Sequence, residues 1–324
     1  MRPILSVVTP LFNEQEVVPE LVRRVVEGCR SIGVPFEFLV VNDGSEDQTL
    51  KQLVLASQTT PELRVVNLFR NFGHMPALSA GLALAKADAV VVLDGDLQDP
   101  PEMIPLFFAR WKEGDDVVYG LRTSRGEGLF RKKATSVFYG FLWKMTEAKI
   151  PRQAGTFCLM DRRVVDVLVR MPERDRYFAG LRAWVGGRQS FVPYERPRRP
   201  YGKSRVRLKG LFQLARTAFV SFSKVPLRYV SLFSLSLGFV LFCVGLTAIV
   251  VRLFTNLAIP GWATTTTLLG LMGSVHSLAL AVISEYIAVI FDEVKARPLF
   301  LVREEYARGE RISTPTGVPM GGAG

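Results

Sequence analysis

The sequence predicts an α/β domain, a mostly parallel sheet covered by helices on both faces, followed by two membrane-spanning helices. Three observations carry this reading. Short β-rich apolar runs alternate with stretches of helical period, polar loops close those runs, and two uncharged segments beyond residue 228 are each long enough to cross a bilayer.

The strands read in order as ILSVVTP from Ile4, FEFLVVNDGS from Phe36, LRVVNLF from Leu63, AVVVLDGD from Ala89 and DDVVYGLR from Asp115 to Arg122. The first helix is expected from about Glu14 to Arg30, with Val17, Val18, Leu21, Val22, Val25 and Val26 as its apolar stripe. Asn13 or Glu14 is the expected cap. The loops NDGSEDQT and DGDLQDPP fall at the carboxyl ends of the second and fourth strands, the edge where open α/β sheets bind ligands. Neither GxGxxG after the first strand nor GxxxxGK[ST] occurs, which argues against a dinucleotide enzyme and a P-loop NTPase.

Composition bounds the partners. The 324 residues are 48% apolar, enough for a real core, and 41 Lys and Arg against 30 Asp and Glu give a net charge of +11. That excess calls for an anionic partner, and its position decides which. From Arg196 to Arg228 there are ten basic residues and no acid, with Leu208, Leu211, Phe212, Leu214, Ala215, Phe219 and Val220 interleaved at roughly helical spacing. This predicts a basic amphipathic helix on an anionic membrane surface, not a nucleic-acid site. Cys29, Cys158 and Cys243 are widely spaced and only His74 and His276 accompany them, which disfavours disulfides and structural zinc. The N-terminal apolar run is too short for a signal peptide.

The chain divides into a domain over 1–200, the juxtamembrane helix over 201–228, two spans at about 229–251 and 263–289, and a tail over 292–324 ending in a disordered TPTGVPMGGAG. The loop between the spans carries no charge beyond Arg252 at its edge, while both outer flanks are basic. The positive-inside rule then puts the large domain and both termini in the cytoplasm. His276 lies inside the second span. Glu285, near its cytoplasmic end, reads as an interhelical contact, an intersubunit contact in a homo-oligomer, or an interfacial residue.

Chemistry concentrates at AVVVLDGDLQDPPEM. Alternation along an extended chain puts Asp94, Asp96 and Gln98 on one side, an all-oxygen set suited to Mg2+ or Mn2+ shared with a substrate pyrophosphate. The plain alternative, that acids after a strand cap the next helix, is assigned to Asp99 before Pro100 and Pro101. Asp43 ends a second strand on the same edge and is either an Asx-turn former or a base or ribose contact. Cys158 reads as a packed residue.

In order, VVTPLFNEQE, VVNDGSEDQT, NFGHMPALSAGLALAKAD and LDGDLQDPPEMIP resemble the family 2 glycosyltransferases, inverting enzymes of the GT-A, Rossmann-like fold. With PYGKSRVRLKG, the two spans and SEYIAVIFDEVKARPLFLV, the similarity extends over about residues 4 to 303 to the polyprenyl-phosphate branch, which includes dolichyl-phosphate mannose synthases and bacterial undecaprenyl-phosphate glucosyltransferases. The resemblance implies that Pro10, Phe12, Glu14 and Asp43 hold the nucleoside, and that Asp94, Asp96 and Gln98 hold the metal and diphosphate. It implies that Arg122, Arg131, Lys203 and Arg205 meet the acceptor phosphate, with Asp94, Asp96, Arg122 and Arg131 as the catalytic set. The implied reaction moves a hexose, most plausibly glucose from UDP-glucose, to undecaprenyl phosphate in the bacterial inner membrane, with a β-linked product.

One position departs from that pattern. Bacterial relatives commonly read GDFRL where this chain has QAGTFCLMDRR, so Thr156 and Cys158 stand in that motif. Loss of the aspartate is chemically tolerable, because the acceptor phosphate is already anionic and a general base has little proton to remove. The alternatives are mannose from GDP-mannose, an aminosugar from its UDP donor, or a non-catalytic membrane scaffold. A processive polysaccharide synthase is disfavoured by two spans and no QxxRW motif.

Overall fold

The computed structural model describes residues 2–123, 154–195 except 175 and 177, 261–313, and the separate positions 230, 232–237, 239, 240, 243, 247 and 254. Two compact units divide the chain, one from residues 1–214 with 297–324 and the other from 215–296.

The first unit is built on a nine-stranded sheet. Its N-terminal half alternates strands and helices: β1 (Leu5–Leu11), α1 (Val18–Arg30), β2 (Phe36–Asn42), α2 (Thr49–Thr59), β3 (Leu63–Leu68), α3 (His74–Leu84), β4 (Ala89–Val92), a 3-10 turn (Pro101–Met103), α4 (Ile104–Lys112) and β5 (Val117–Thr123). Then come β6 (Ala154–Asp161), α5 (Arg162–Arg170), α6 (Phe178–Val185), β7 (Gln189–Glu195) and, after the second unit, β8 (Val302–Ala307) and β9 (Glu310–Ser313). The order across the sheet is β7-β5-β6-β4-β1-β2-β3-β8-β9. β1 pairs in parallel with β2 and β4, β2 with β3, and β5 with β7, and only β6 and β8 run against the common direction.

Alternation along the strands feeds two apolar layers. Leu5, Val7, Phe38, Val40, Val65 and Val91 join the α1 stripe, and α1 touches α2 and α4. Val8 and Val41 face α3, where a β-carbon on Gly81 would lie 2.2 Å from Val8. α3 in turn touches α5, and α5 touches α6. The whole predicted stripe of the first helix is buried. The helix nevertheless begins at Val18, not Glu14, because Asn13 takes a left-handed backbone (φ 51°) and residues 14–17 form a turn. Neither Asn13 nor Glu14 caps it; Val17 occupies that position without a side-chain bond.

Four strands were not expected. β6 enters between β4 and β5, and its Phe157 packs 4.6 Å from Phe107 of α4 and edge-on to Tyr194 of β7, ring centres 5.6 Å apart. β8 and β9 come from the segment read as a tail. β8 is fixed to β3 by Arg64, whose guanidinium meets Glu305 at 2.9 Å and Glu37 at 3.4 Å with all three side chains largely buried.

In the second unit, α7 (Trp262–Val294) extends beyond the span expected at 263–289, and Leu271–Phe291 within it is long and apolar enough to cross a membrane. Its Leu269, Leu278, Ile287 and Ile290 are exposed. Among the described residues it is the one helix meeting that test. The span expected at 229–251 falls mostly outside the described residues, as does the amphipathic helix at 201–228. At the described positions, Val230, Phe233 and Ser234 share an apolar crevice with Val275, Leu278 and Ala279. His276 bonds its own helix through the Met272 carbonyl at 2.9 Å.

Candidate active site

Because β1 to β4 are parallel, their carboxyl ends share one edge, and the loops there are laced together. The β1 and β2 loops exchange bonds in both directions. Asn13 N donates to Ser45 Oγ, Glu14 N to Thr49 Oγ1, Glu46 N to Asn13 Oδ1 and Gln48 N to Gln15 Oε1, all between 2.8 and 3.0 Å. Asp43 is almost fully buried, and its two oxygens accept from the Phe72 and Gly73 amides at 2.8 and 2.9 Å. Burial pushes its pKa up, and those amides offset only part of the rise. Asp43 thereby fixes the loop that starts α3.

His74, the first residue of α3, is delivered to the end of β4, where its Nε2 lies 3.2 Å from Asp94 Oδ1. The other Asp94 oxygen accepts from Thr156 Oγ1 of β6 at 2.8 Å. Burial alone would raise the Asp94 pKa, but His74, Thr156 and Arg122 together outweigh it and hold the carboxyl below its ordinary range. An ionised carboxylate only accepts, so His74 Nε2 must carry a proton. The imidazole pKa moves up because Asp94, then Asp43 and Asp96, outweigh its own desolvation.

Asp94, Asp96 and Gln98 do not continue an extended strand as the alternation implied. β4 stops at Val92, and the chain turns through Leu97, a buried residue held left-handed at φ 57°. Such a conformation persists only when its surroundings impose it. Burial still alternates, with 94, 96 and 98 partly open and 93, 95, 97 and 99 buried. The Gln98 amide closes the turn on Asp96 Oδ1 at 3.1 Å. Gly95 is required by close approach: a β-carbon there would come 2.0 Å from Leu11 and 3.2 Å from the Pro10 carbonyl.

The donor set suits a hard cation. It is all oxygen, and each Asp94 oxygen keeps a lone-pair direction beyond the bond it makes. Among the described residues no group of three or more His, Cys, Asp or Glu is placed to cage an ion alone.

Asp99 is not the helix cap the sequence suggested. The 3-10 turn is capped by Pro100 without a side-chain bond, and Asp99 is fully buried under Arg122 and Tyr194. Arg122 lies on β5 within electrostatic reach of Asp94. Burial lowers its pKa, but Asp99, Tyr194 and Asp94 raise it by more. Arg182 of α6 is fully buried, lies over the Tyr119 ring at 4.3 Å, and donates to the Gly155 carbonyl of β6 at 2.9 Å. Cys158 is buried and its thiol pKa is pushed up by desolvation, which makes it a packed, unreactive residue.

Of the residues anticipated from sequence, Pro10, Asp43, Asp94, Asp96, Gln98 and Arg122 fall along this one edge. Phe12 and Glu14 sit half-buried in the laced β1 loop. Arg131, Lys203 and Arg205 lie outside the described residues, and so does the side chain of Glu285. Tyr194 and Arg182 carry no marking pattern in the sequence, and Asp99 serves a role other than the cap its position before two prolines suggests. The sequence signals for His74 are its rarity, as one of two histidines, and its place in NFGHMPALSAGLALAKAD.

The family model described as glycosyl transferase family 2 matches residues 6–169. An uncharacterized glycosyltransferase of Synechocystis sp. is 39% identical over 314 residues, covering 95% of this chain and 99% of its own. The bactoprenol glucosyl transferase of Shigella phage SfII is 34% identical over 306 residues, 93% of this chain and 98% of its own. Among solved structures, Mycobacterium tuberculosis glucosyl-3-phosphoglycerate synthase in complex with Mn2+, UDP and phosphoglyceric acid aligns with a TM-score of 0.48 at 20% identity, covering 67% of this chain and 76% of that one.

Proposed function

The chain belongs to glycosyl transferase family 2, and from that premise we propose that it is an inverting, metal-dependent hexosyltransferase moving glucose from UDP-glucose to undecaprenyl phosphate or a similar polyprenyl phosphate. The name of the phage relative, matched over nearly its full length, supports the acceptor and the sugar. The observation that carries the reading is the joint placement of Asp94 and Arg122. The oxygen-rich turn after β4 and the guanidinium on β5 flank adjacent residues of β6, Thr156 against Asp94 and Gly155 against Arg122, a placement that suits transfer between two phosphate-bearing substrates.

In the proposed reaction an anionic oxygen of the acceptor phosphate attacks the anomeric carbon, forming the new C–O bond as the bond to the diphosphate breaks and UDP leaves. Inversion at that carbon gives the β-linked lipid. A bound Mg2+ or Mn2+, held by Asp94, Asp96 and Gln98, would neutralise charge on the departing diphosphate. Thr156 does not act as a base here; its hydroxyl is donated to Asp94, and the acceptor needs none. Arg122 orients a phosphate by its forked donors, and His74 holds the Asp94 carboxylate in place.

The catalytic unit is proposed to lie in the cytoplasm of a bacterium, against the inner membrane, with α7 and the segment at 229–251 as two spans. The exposed apolar surface of α7 and its shared crevice with Val230, Phe233 and Ser234 support that arrangement. Incubating the full-length protein with radiolabelled UDP-glucose, GDP-mannose and UDP-aminosugars, Mn2+ or Mg2+, and undecaprenyl phosphate tests the reading. Labelled lipid from UDP-glucose is expected. Label from another donor alone would replace the sugar, and no label from any donor would refute the proposal.

A further inference from the structure

Arg122 is held by residues outside the ligand-facing set. Its Nε donates to the Tyr194 hydroxyl at 3.1 Å and its Nη2 reaches Asp99 Oδ1 at 3.5 Å, while Tyr194 donates its own proton to that same Asp99 oxygen in a short bond. Three separate segments converge to do this: Asp99 follows the DGDLQ turn, Arg122 lies on β5, and Tyr194 is its partner in register on β7. Gly155 on β6 provides the floor, since a β-carbon there would stand 2.7 Å from Nη2. Asp99 is fully buried and Tyr194 nearly so, whereas 27% of the Arg122 side chain reaches solvent.

We infer that Asp99 and Tyr194 are positioning residues that fix the Arg122 guanidinium with its open edge toward a phosphate oxygen bound beside Asp94. The inference rests on the proposed role of Arg122 as a phosphate contact. An unrestrained arginine gives up its rotamer freedom when it binds; here that loss is taken during folding, so binding is relieved of it. Asp99 also cancels part of the arginine's charge at long range, so the gain lies in geometry, in which N–H groups are left to point outward. The closed side is used by Asp99, Tyr194 and Gly155, and the next residue after Gly155, Thr156, bonds Asp94. The guanidinium and the carboxylate are therefore set by neighbouring positions of one strand.

The test compares full-length wild type with Tyr194→Phe, Arg122→Ala and the double variant, reading kcat, the KM of donor and of acceptor separately, and titrations with inorganic pyrophosphate. Tyr194→Phe is expected to raise the KM of one phosphate-bearing substrate about tenfold, the usual size for losing a hydrogen bond to a charged group, with a thermal midpoint close to wild type. In the Arg122→Ala background the same change should do nothing further. A shift in donor KM and in pyrophosphate binding identifies the diphosphate as the ligand, and a shift in acceptor KM identifies the lipid phosphate. Unchanged kinetics and binding, or equal effects with and without Arg122, would overturn the inference. Asp99→Asn supplies the same comparison should Tyr194→Phe not fold. A wild type that transfers no sugar, yet binds pyrophosphate with Tyr194 mattering only when Arg122 is present, overturns the proposed reaction and sustains this assignment.

Discussion

The Thr156 hydroxyl donates to Asp94 Oδ2 across 2.8 Å, so the antiparallel strand β6 fixes the carboxylate in the turn that follows parallel strand β4. An aspartate at 156 would set two carboxylates within a few ångströms of each other. Thr156→Asp is expected to lower stability by about 1–3 kcal/mol in metal-free buffer, as close like charges do, and to regain part of that with Mn2+. Thermal denaturation with and without the ion checks this. The variant should show no gain in transfer rate; a large gain would mean that a base is needed after all.

Arg64 neutralises two carboxylates, Glu37 and Glu305, at the far side of the sheet. Arg64→Ala removes the countercharge of both in a largely buried setting, although Glu37 keeps bonds from Ser6 Oγ and the Lys86 amide, and is expected to cost about 3 kcal/mol, measurable by urea unfolding. Because Glu305 belongs to β8, amide exchange in Val302–Ala307 should rise first.

Asp161 caps α5 through the Arg163 amide at 2.9 Å and accepts from the Trp111 indole at 2.9 Å. Burial raises its pKa, but Trp111 and Arg163 lower it by more, so the folded value lies below the unfolded one near 3.9. Its contribution is thus complete above about pH 4 and is lost as pH falls through the folded value. Asp161→Ala is expected to cost about 2 kcal/mol at pH 7, from a lost cap and an orphaned indole N–H. That difference from wild type should shrink in acid denaturation below pH 4.

Much of this was legible in the residues. β1 to β5 announced themselves because strands buried on both faces are apolar almost throughout, and the stripe of α1 is buried as its spacing implied. Of the missed strands, β7 and β8 carry the opposite pattern, whereas β6 is buried and apolar at its centre. β7 contains Pro193 and exposes Phe191, and β8 reads as a solvated run because its Glu305 is balanced by Arg64, distant in sequence. The site shows the same division. DGDLQ marks its own ligand chemistry, but Tyr194 and Asp99 gain meaning only when β7 is laid beside β5. His74 likewise reaches Asp94 through the loop that Asp43 pins.

Asp96 stands on the turn proposed to hold the diphosphate and its metal. Transfer of label from UDP-glucose to undecaprenyl phosphate in the presence of Mn2+ should be measured for wild type and Asp96→Ala side by side. Labelled lipid is expected from wild type, with a loss on the order of a thousandfold or more in the variant, the scale of removing charge stabilisation from a leaving group. Equal labelling by the two proteins would refute the role proposed for this turn in holding metal and diphosphate.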